Sequence, residues 1–127
     1  MQAVCDEVRP IRVLLVEDEI LISEWVAESL AEQGFSVCAV ASAADALQHL
    51  KSEPVDVLFT DVNLPGGMDG AHLARRAREL VPGLPVIYAS GRPDTLDATT
   101  RVPGSTFIAK PYSPSRLAPL IAGAAGR

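Results

Sequence analysis

The chain has little cysteine, no long apolar run and a shortage of positive charge. Cys5 and Cys38 are the two cysteines among 127 residues, too few for a disulfide framework. Cys38 falls in a candidate strand and is expected to be a small buried hydrophobe. The apolar runs are far too short to span a bilayer, so no membrane association is expected. The opening MQAVCDEVRP lacks a basic start followed by an apolar core, which excludes a signal peptide and points to the cytoplasm. Eleven Lys and Arg against sixteen Asp and Glu leave a net charge of −5. That balance argues against direct binding of a nucleic-acid backbone, which needs positive charge. There is also no internal repeat and no long linker. What is present suits one globular domain: hydrophobic residues make up 48% of the chain, enough to exclude disorder. Residues 1–10 read as an N-terminal lead and 11–124 as the domain, with no output domain after it. Met1 and the short lead suggest a complete small protein, an expectation that a start upstream of Met1 would overturn.

Hydrophobic patterning alternates between two periods. Residues 11–16, 35–40, 55–60, 84–90 and 105–109 read as strands. Between them, 19–33 carries Ile22, Trp25, Val26 and Leu30 at helical spacing, with Gly34 as a C-terminal cap. Ser42 is placed to cap a helix over 43–52, and Pro54 punctuates its end. Asp69 is placed to cap a helix over 70–81 with Leu73, Ala77, Leu80 and Val81 inward. Residues 93–101 are a weaker helix candidate. Ser113 and Pro114 suit the cap and first position of a last helix. Five strands alternating with five helices imply a doubly wound α/β fold, a five-stranded parallel sheet with helices on both faces. The unalternating runs at 13–16 and 57–59 fit central strands buried on both sides.

Ligands of such sheets lie beyond the C-terminal strand ends. There the sequence places Glu17 and Asp18, Asp61, Ser90, and Lys110 followed by Pro111. Three close carboxylates need compensating positive charge. Lys110 supplies one, and an all-oxygen set suits Mg²⁺ for the rest. Such a site can hold a phosphoryl group, with Asp61 as the attacking carboxylate and Ser90 as a hydrogen-bond donor. The bland alternatives are a turn carboxylate at Asp61, helix-start acids at Glu17, Asp18 and Glu19, and a solvated lysine. Arg75, Arg76 and Arg78 read as a solvated helix face. His49 and His72 have no ligand spacing and are expected to be exposed.

Four segments, LLVEDE, LFTDVNLPGGMDG, PVIYASG and FIAKP, occur in order, each at a strand end. Together they resemble the receiver domain of two-component response regulators over roughly residues 10 to 124, with its flavodoxin-like fold. The resemblance implies that Asp61 is the phosphoacceptor, that Asp18 binds Mg²⁺ directly and Glu17 through water, and that the Asn63 backbone carbonyl is a further ligand. It implies a switch pair in Ser90 and Phe107, and room for the phosphoryl group beside small Gly91. The expected phosphodonor is a histidine kinase or a histidine phosphotransfer protein, and the output a change in binding to a downstream protein partner. Such a receiver catalyses only its own phosphorylation and dephosphorylation. The receiver portion of a hybrid histidine kinase is a close alternative. From other classes come a phosphorylation-independent scaffold, opposed by the intact site residues, and a small Mg²⁺-dependent aspartyl phosphatase. The phosphatase needs an acid two residues after its nucleophile, where this chain has Asn63.

Three departures from the family pattern stand out. The loop after Asp61 has one extra glycine, which loosens the backbone beside a metal ligand. Residues 92–102, RPDTLDATTRV, hold three threonines and few apolar anchors, chiefly Leu96 and Val102, and are expected to be a mobile, bistable element. Pro119 falls inside the last helix, at an expected cost of about 3 kcal/mol.

Overall fold

The structure, a computed structural model, describes residues 9–91 and 101–126. Five strands form one parallel sheet: β1 (Arg12–Val16), β2 (Ser36–Val40), β3 (Val57–Asp61), β4 (Val86–Ser90) and β5 (Thr106–Ala109), in the order β2-β1-β3-β4-β5. Four helices are described: α1 (Ile20–Glu32), α2 (Ala43–Ser52), α3 (Gly70–Leu80) and α4 (Pro114–Ala124). The candidate helix at 93–101 lies outside the described residues except for Arg101.

Alternation along the strands sorts the core into two halves. Leu14, Val16, Leu58, Val86 and Tyr88 face the side covered by α2 and α3. Val13, Leu15, Val57, Phe59 and Ile87 face the side covered by α1 and α4. Every residue of β3 and β4 is buried, whereas the edge strands β2 and β5 are largely open. That difference is the reason the central strands are continuously apolar.

Two helix starts follow the sequence reading. The Ser42 side chain accepts from the Asp45 amide at 3.1 Å, and Asp69 from the His72 amide at 2.8 Å. Ser113 occupies the expected cap position of α4 but makes no side-chain cap bond. Gly34 follows α1 with φ +98°, a conformation suited to glycine. Two apolar positions of the helical patterns, Trp25 and Leu80, face outward. Trp25 is half exposed, beside exposed Ile20 and Leu21, so α1 turns an apolar strip outward as well as inward. Leu80 is also exposed, because α3 ends there and its buried stripe runs through Leu73, Ala74 and Ala77 instead. Pro119 does not break α4, which continues to Ala124. The ring lies on the exposed face, where water can reach the carbonyl one turn back, while Leu117, Ala118 and Ile121 hold the other face in the core. Among the described residues no helix is long and apolar enough to cross a membrane.

Candidate phosphoryl and metal site

The chain runs from β1 to β2 in one direction and then returns to β3 on the other side of β1. This reversal opens a crevice between the C-terminal ends of β1 and β3. Glu17 and Asp18 follow β1, and Asp61 is the last residue of β3. One carboxylate oxygen from each lies within 4.8 Å of the others. Glu17 and Asp61 are buried, and Asp18 is exposed at the mouth.

Main-chain bonds extend the sheet past its formal ends and hold this rim in place. The Glu17 amide donates to the Val40 carbonyl at 3.1 Å, the Val62 amide to Ala89 at 3.0 Å, and the Lys110 amide to Ser90 at 2.9 Å. Lys110 thereby leaves β5 beside Ser90, and its Nζ reaches Asp61 Oδ2 at 2.6 Å and Glu17 Oε1 at 4.0 Å. The other Asp61 oxygen, Oδ1, accepts the Asn63 amide at 3.1 Å. Glu17 Oε2 accepts the Glu19 amide at 3.0 Å.

The electrostatics follow from this crowding. Burial pushes the Glu17 carboxyl above the usual range; the Asp61 charge pushes the same way, and the Glu19 amide only partly offsets them. Burial also disfavours the charged form of Lys110, but the hydrogen bond to Asp61 and the carboxylates around it raise its pKa overall. One ammonium faces three carboxylates, so the site is short of positive charge. A hard divalent cation such as Mg²⁺ fits this all-oxygen donor set, one wall open to solvent at Asp18 for its waters.

Ser90 is buried at the end of β4, next to Ala109 in register. Phe107 is 38% exposed, outside the core in which an ordinary strand aromatic would sit. Of the segment 92–102, expected to be mobile, residues 92–100 lie outside the described residues, and Val102 is buried.

Several features escaped sequence reasoning. Gly70, the first residue of α3, sits against the backbone of Asp61 and Val62, and its amide donates to the Val62 carbonyl at 2.7 Å. A Cβ there would lie 2.9 Å from Val62 Cα and 3.0 Å from Asp61 C. The only available signal was a glycine directly after a helix cap. Gly66 and Gly67 both have positive φ, +90° and +85°, so the extra glycine of this loop belongs to a turn that glycine favours. Tyr112 packs edge-on against Phe59, ring centroids 5.5 Å apart, two residues before Asp61. Burial, then the Glu17 and Asp61 charges, push its hydroxyl well above its ordinary pKa, so it stays neutral. Cys38 is half-buried rather than buried, and its Sγ lies 3.5 Å from His49 Nδ1. His49, expected to be exposed, is half-buried in this contact.

Comparison with known proteins agrees with this geometry. The response regulator receiver domain family matches residues 13–122. The chain is 34% identical over 107 residues to the C4-dicarboxylate transport transcriptional regulatory protein DctD of Rhizobium meliloti, covering 83% of this chain and 23% of that protein. It is 36% identical over 80 residues to the response regulator receiver protein CpdR of Brucella abortus, covering 63% and 66%. A response regulator receiver protein from Sinorhizobium medicae superposes with TM-score 0.86 at 29% identity, covering 94% of this chain and 97% of that one. The crevice lined by acids, the lysine that bridges two of them and these matches lead to one conclusion: the chain belongs to the response regulator receiver domain family of two-component signalling.

Proposed function

We propose that Asp61 accepts a phosphoryl group from a phosphohistidine of a histidine kinase or histidine phosphotransfer protein. The carrying observation is the placement of Asp61: buried at the end of a central strand, 2.6 Å from Lys110 and grouped with Glu17 and Asp18. An Asp61 oxygen attacks phosphorus, an O–P bond forms, and the P–N bond breaks with its electron pair returning to the imidazole. Lys110 balances charge on the attacking carboxylate and on the phosphoryl oxygens. The Asn63 amide orients the carboxylate through Oδ1. Asp18 and Asp61 would hold Mg²⁺ directly, Glu17 through water, and the Asn63 carbonyl would complete the protein ligands. The cation, when bound, neutralises phosphoryl oxygens and offsets the repulsion among the acids. Ser90 is the hydroxyl that turns toward the phosphoryl group, and Phe107 the aromatic that follows it.

The phosphodonor must dock over the rim that holds Asp61. Beside that rim lies a groove of about 290 Å³ lined by Glu19, Ile22, Trp25, Lys110, Pro111 and Tyr112. Its Trp25 wall is half exposed, and Ile20 and Leu21 of the same helix are exposed as well. An amphipathic helix carrying the phosphohistidine suits this surface, its apolar face on α1 and its imidazole over the crevice. Both a free-standing response regulator and the receiver of a hybrid kinase are compatible with it. The chain also resembles the receiver domain of hybrid histidine kinase CckA, with TM-score 0.77 and 30% identity.

The test is incubation with acetyl phosphate and Mg²⁺, followed by intact mass. One phosphoryl adduct is expected in the wild-type protein and none in Asp61→Asn, which keeps the shape but loses the nucleophile. The same Mg²⁺-dependent adduct on the Asn variant refutes the assignment.

A further inference from the structure

Phe107 is in register with Tyr88 on the neighbouring strand, and the two therefore share a face of the sheet. Ser90, two residues after Tyr88, lies on that face as well. Tyr88 is fully buried, and its hydroxyl accepts the backbone amide of Val102 at 3.1 Å. A buried tyrosine needs such a partner, and here the partner is backbone that belongs to no strand or helix. Val102 is itself only 5% exposed. The chain is thus pinned at Val102 by a hydrogen bond and by an apolar side chain.

The residue before this pin is Arg101. Its guanidinium carbon stands 5.6 Å from the centroid of the Phe107 ring, within cation–π range. The planar guanidinium is suited to stacking on an aromatic face, which a lysine ammonium cannot reproduce. Outside the ring, then, is a cation held in place from beneath by Tyr88. The contact exists with Phe107 in its exposed position, and a ring that turned inward toward Ser90 would leave it behind.

We propose that Arg101, positioned by the Tyr88–Val102 hydrogen bond, is a latch that holds Phe107 outward and raises the threshold at which the domain responds to phosphorylation. The proposal rests on the reading of Asp61 as phosphoacceptor and of Ser90 and Phe107 as the moving pair. A ligand that favours the inward ring must overcome the latch, so its apparent affinity falls by the fraction of protein in the competent state. An exposed cation–π contact corresponds to roughly a two- to five-fold change in that population.

The experiment is a titration with beryllofluoride and Mg²⁺ as phosphoryl analogue, followed by ¹⁹F resonances of protein labelled with fluorophenylalanine. The Phe107 resonance is assigned by its loss in Phe107→Leu. Arg101→Gln, at a half-buried position, should bind the analogue roughly two- to five-fold more tightly and shift the Phe107 resonance of the free protein. Arg101→Lys should recover only part of the wild-type behaviour. In a Phe107→Leu background Arg101→Gln should change nothing, which separates the latch from a general effect of charge. Tyr88→Phe should tighten binding alone but not in combination with Arg101→Gln, whatever it does to the melting temperature. Unchanged affinity and an unmoved resonance in Arg101→Gln, or an equal gain in the Phe107→Leu background, overturn the latch while leaving the phosphoacceptor reading intact. A wild-type protein that neither binds the analogue nor forms the phosphoryl adduct overturns both.

Discussion

Gly70→Ala sets two well-understood effects against each other. Alanine is the better helix former, by about 1 kcal/mol in a helix interior and less in the first turn. On propensity alone the substitution should stabilise α3. The surroundings argue the opposite. The added methyl would stand 2.9 Å from Val62 Cα and 3.0 Å from Asp61 C, with the Asp61 carbonyl oxygen in the same direction. Carbon atoms prefer to be about 3.5–4.0 Å apart. The obstacles are backbone atoms of a central strand end, so no side chain can swing away. Either α3 lifts or the chain leaving β3 is displaced. Overpacking of this kind costs about 1–3 kcal/mol, which outweighs the gain in propensity and leaves a net loss of about 1–2 kcal/mol. For a domain of this size that corresponds to a fall in melting temperature of about 3–8 °C. Thermal unfolding followed by circular dichroism without metal measures it. Because the clash falls on Asp61 and Val62, the Mg²⁺-induced rise in melting temperature should shrink as well. A variant that melts at or above the wild-type temperature would refute the close approach and leave propensity as the winning effect.

Asp18→Ala should remove most of the stabilisation by Mg²⁺, which arises from binding to the folded state alone; an undiminished melting shift would move the cation elsewhere. The pH dependence of the metal-free protein should carry the mark of Glu17. Its folded-state pKa is raised, by burial first, so the folded form keeps a proton that the unfolded form gives up. The associated stability is complete below the ordinary glutamate pKa of 4.5 and is lost as pH rises through the folded value. Glu17→Gln should therefore gain on the wild type as pH rises from about 4.5 toward neutrality. A difference between the two that stays constant with pH would show that Glu17 is not the group responsible.

Much of this protein was determined by local chemistry that a linear reading can see. The continuous apolar runs of β1 and β3 can only be satisfied in strands covered on both faces, and their alternation with helical spacing leaves a doubly wound sheet. Because strand ends in such a sheet converge on one rim, the grouping of Glu17, Asp18, Asp61, Ser90 and Lys110 is legible in the sequence. Ser42 and Asp69 announced their helices because a cap needs only its own side chain and an amide three residues on. Other features depend on which atoms the fold brings together across long separations. Trp25 has the spacing of a core residue, yet the core beneath α1 is already filled by Val26 and Leu30. Gly70 looks like a weak helix start until the backbone of Asp61 is seen against it. Cys38 and His49, eleven residues apart on β2 and α2, meet only in the folded chain. Tyr88 reads as one more strand aromatic, and only tertiary packing shows its hydroxyl holding the amide of Val102 and, through it, Arg101 over Phe107. Periodicity records which face of an element is apolar. Which particular atom meets that face is decided by the packing of elements that are distant in the chain.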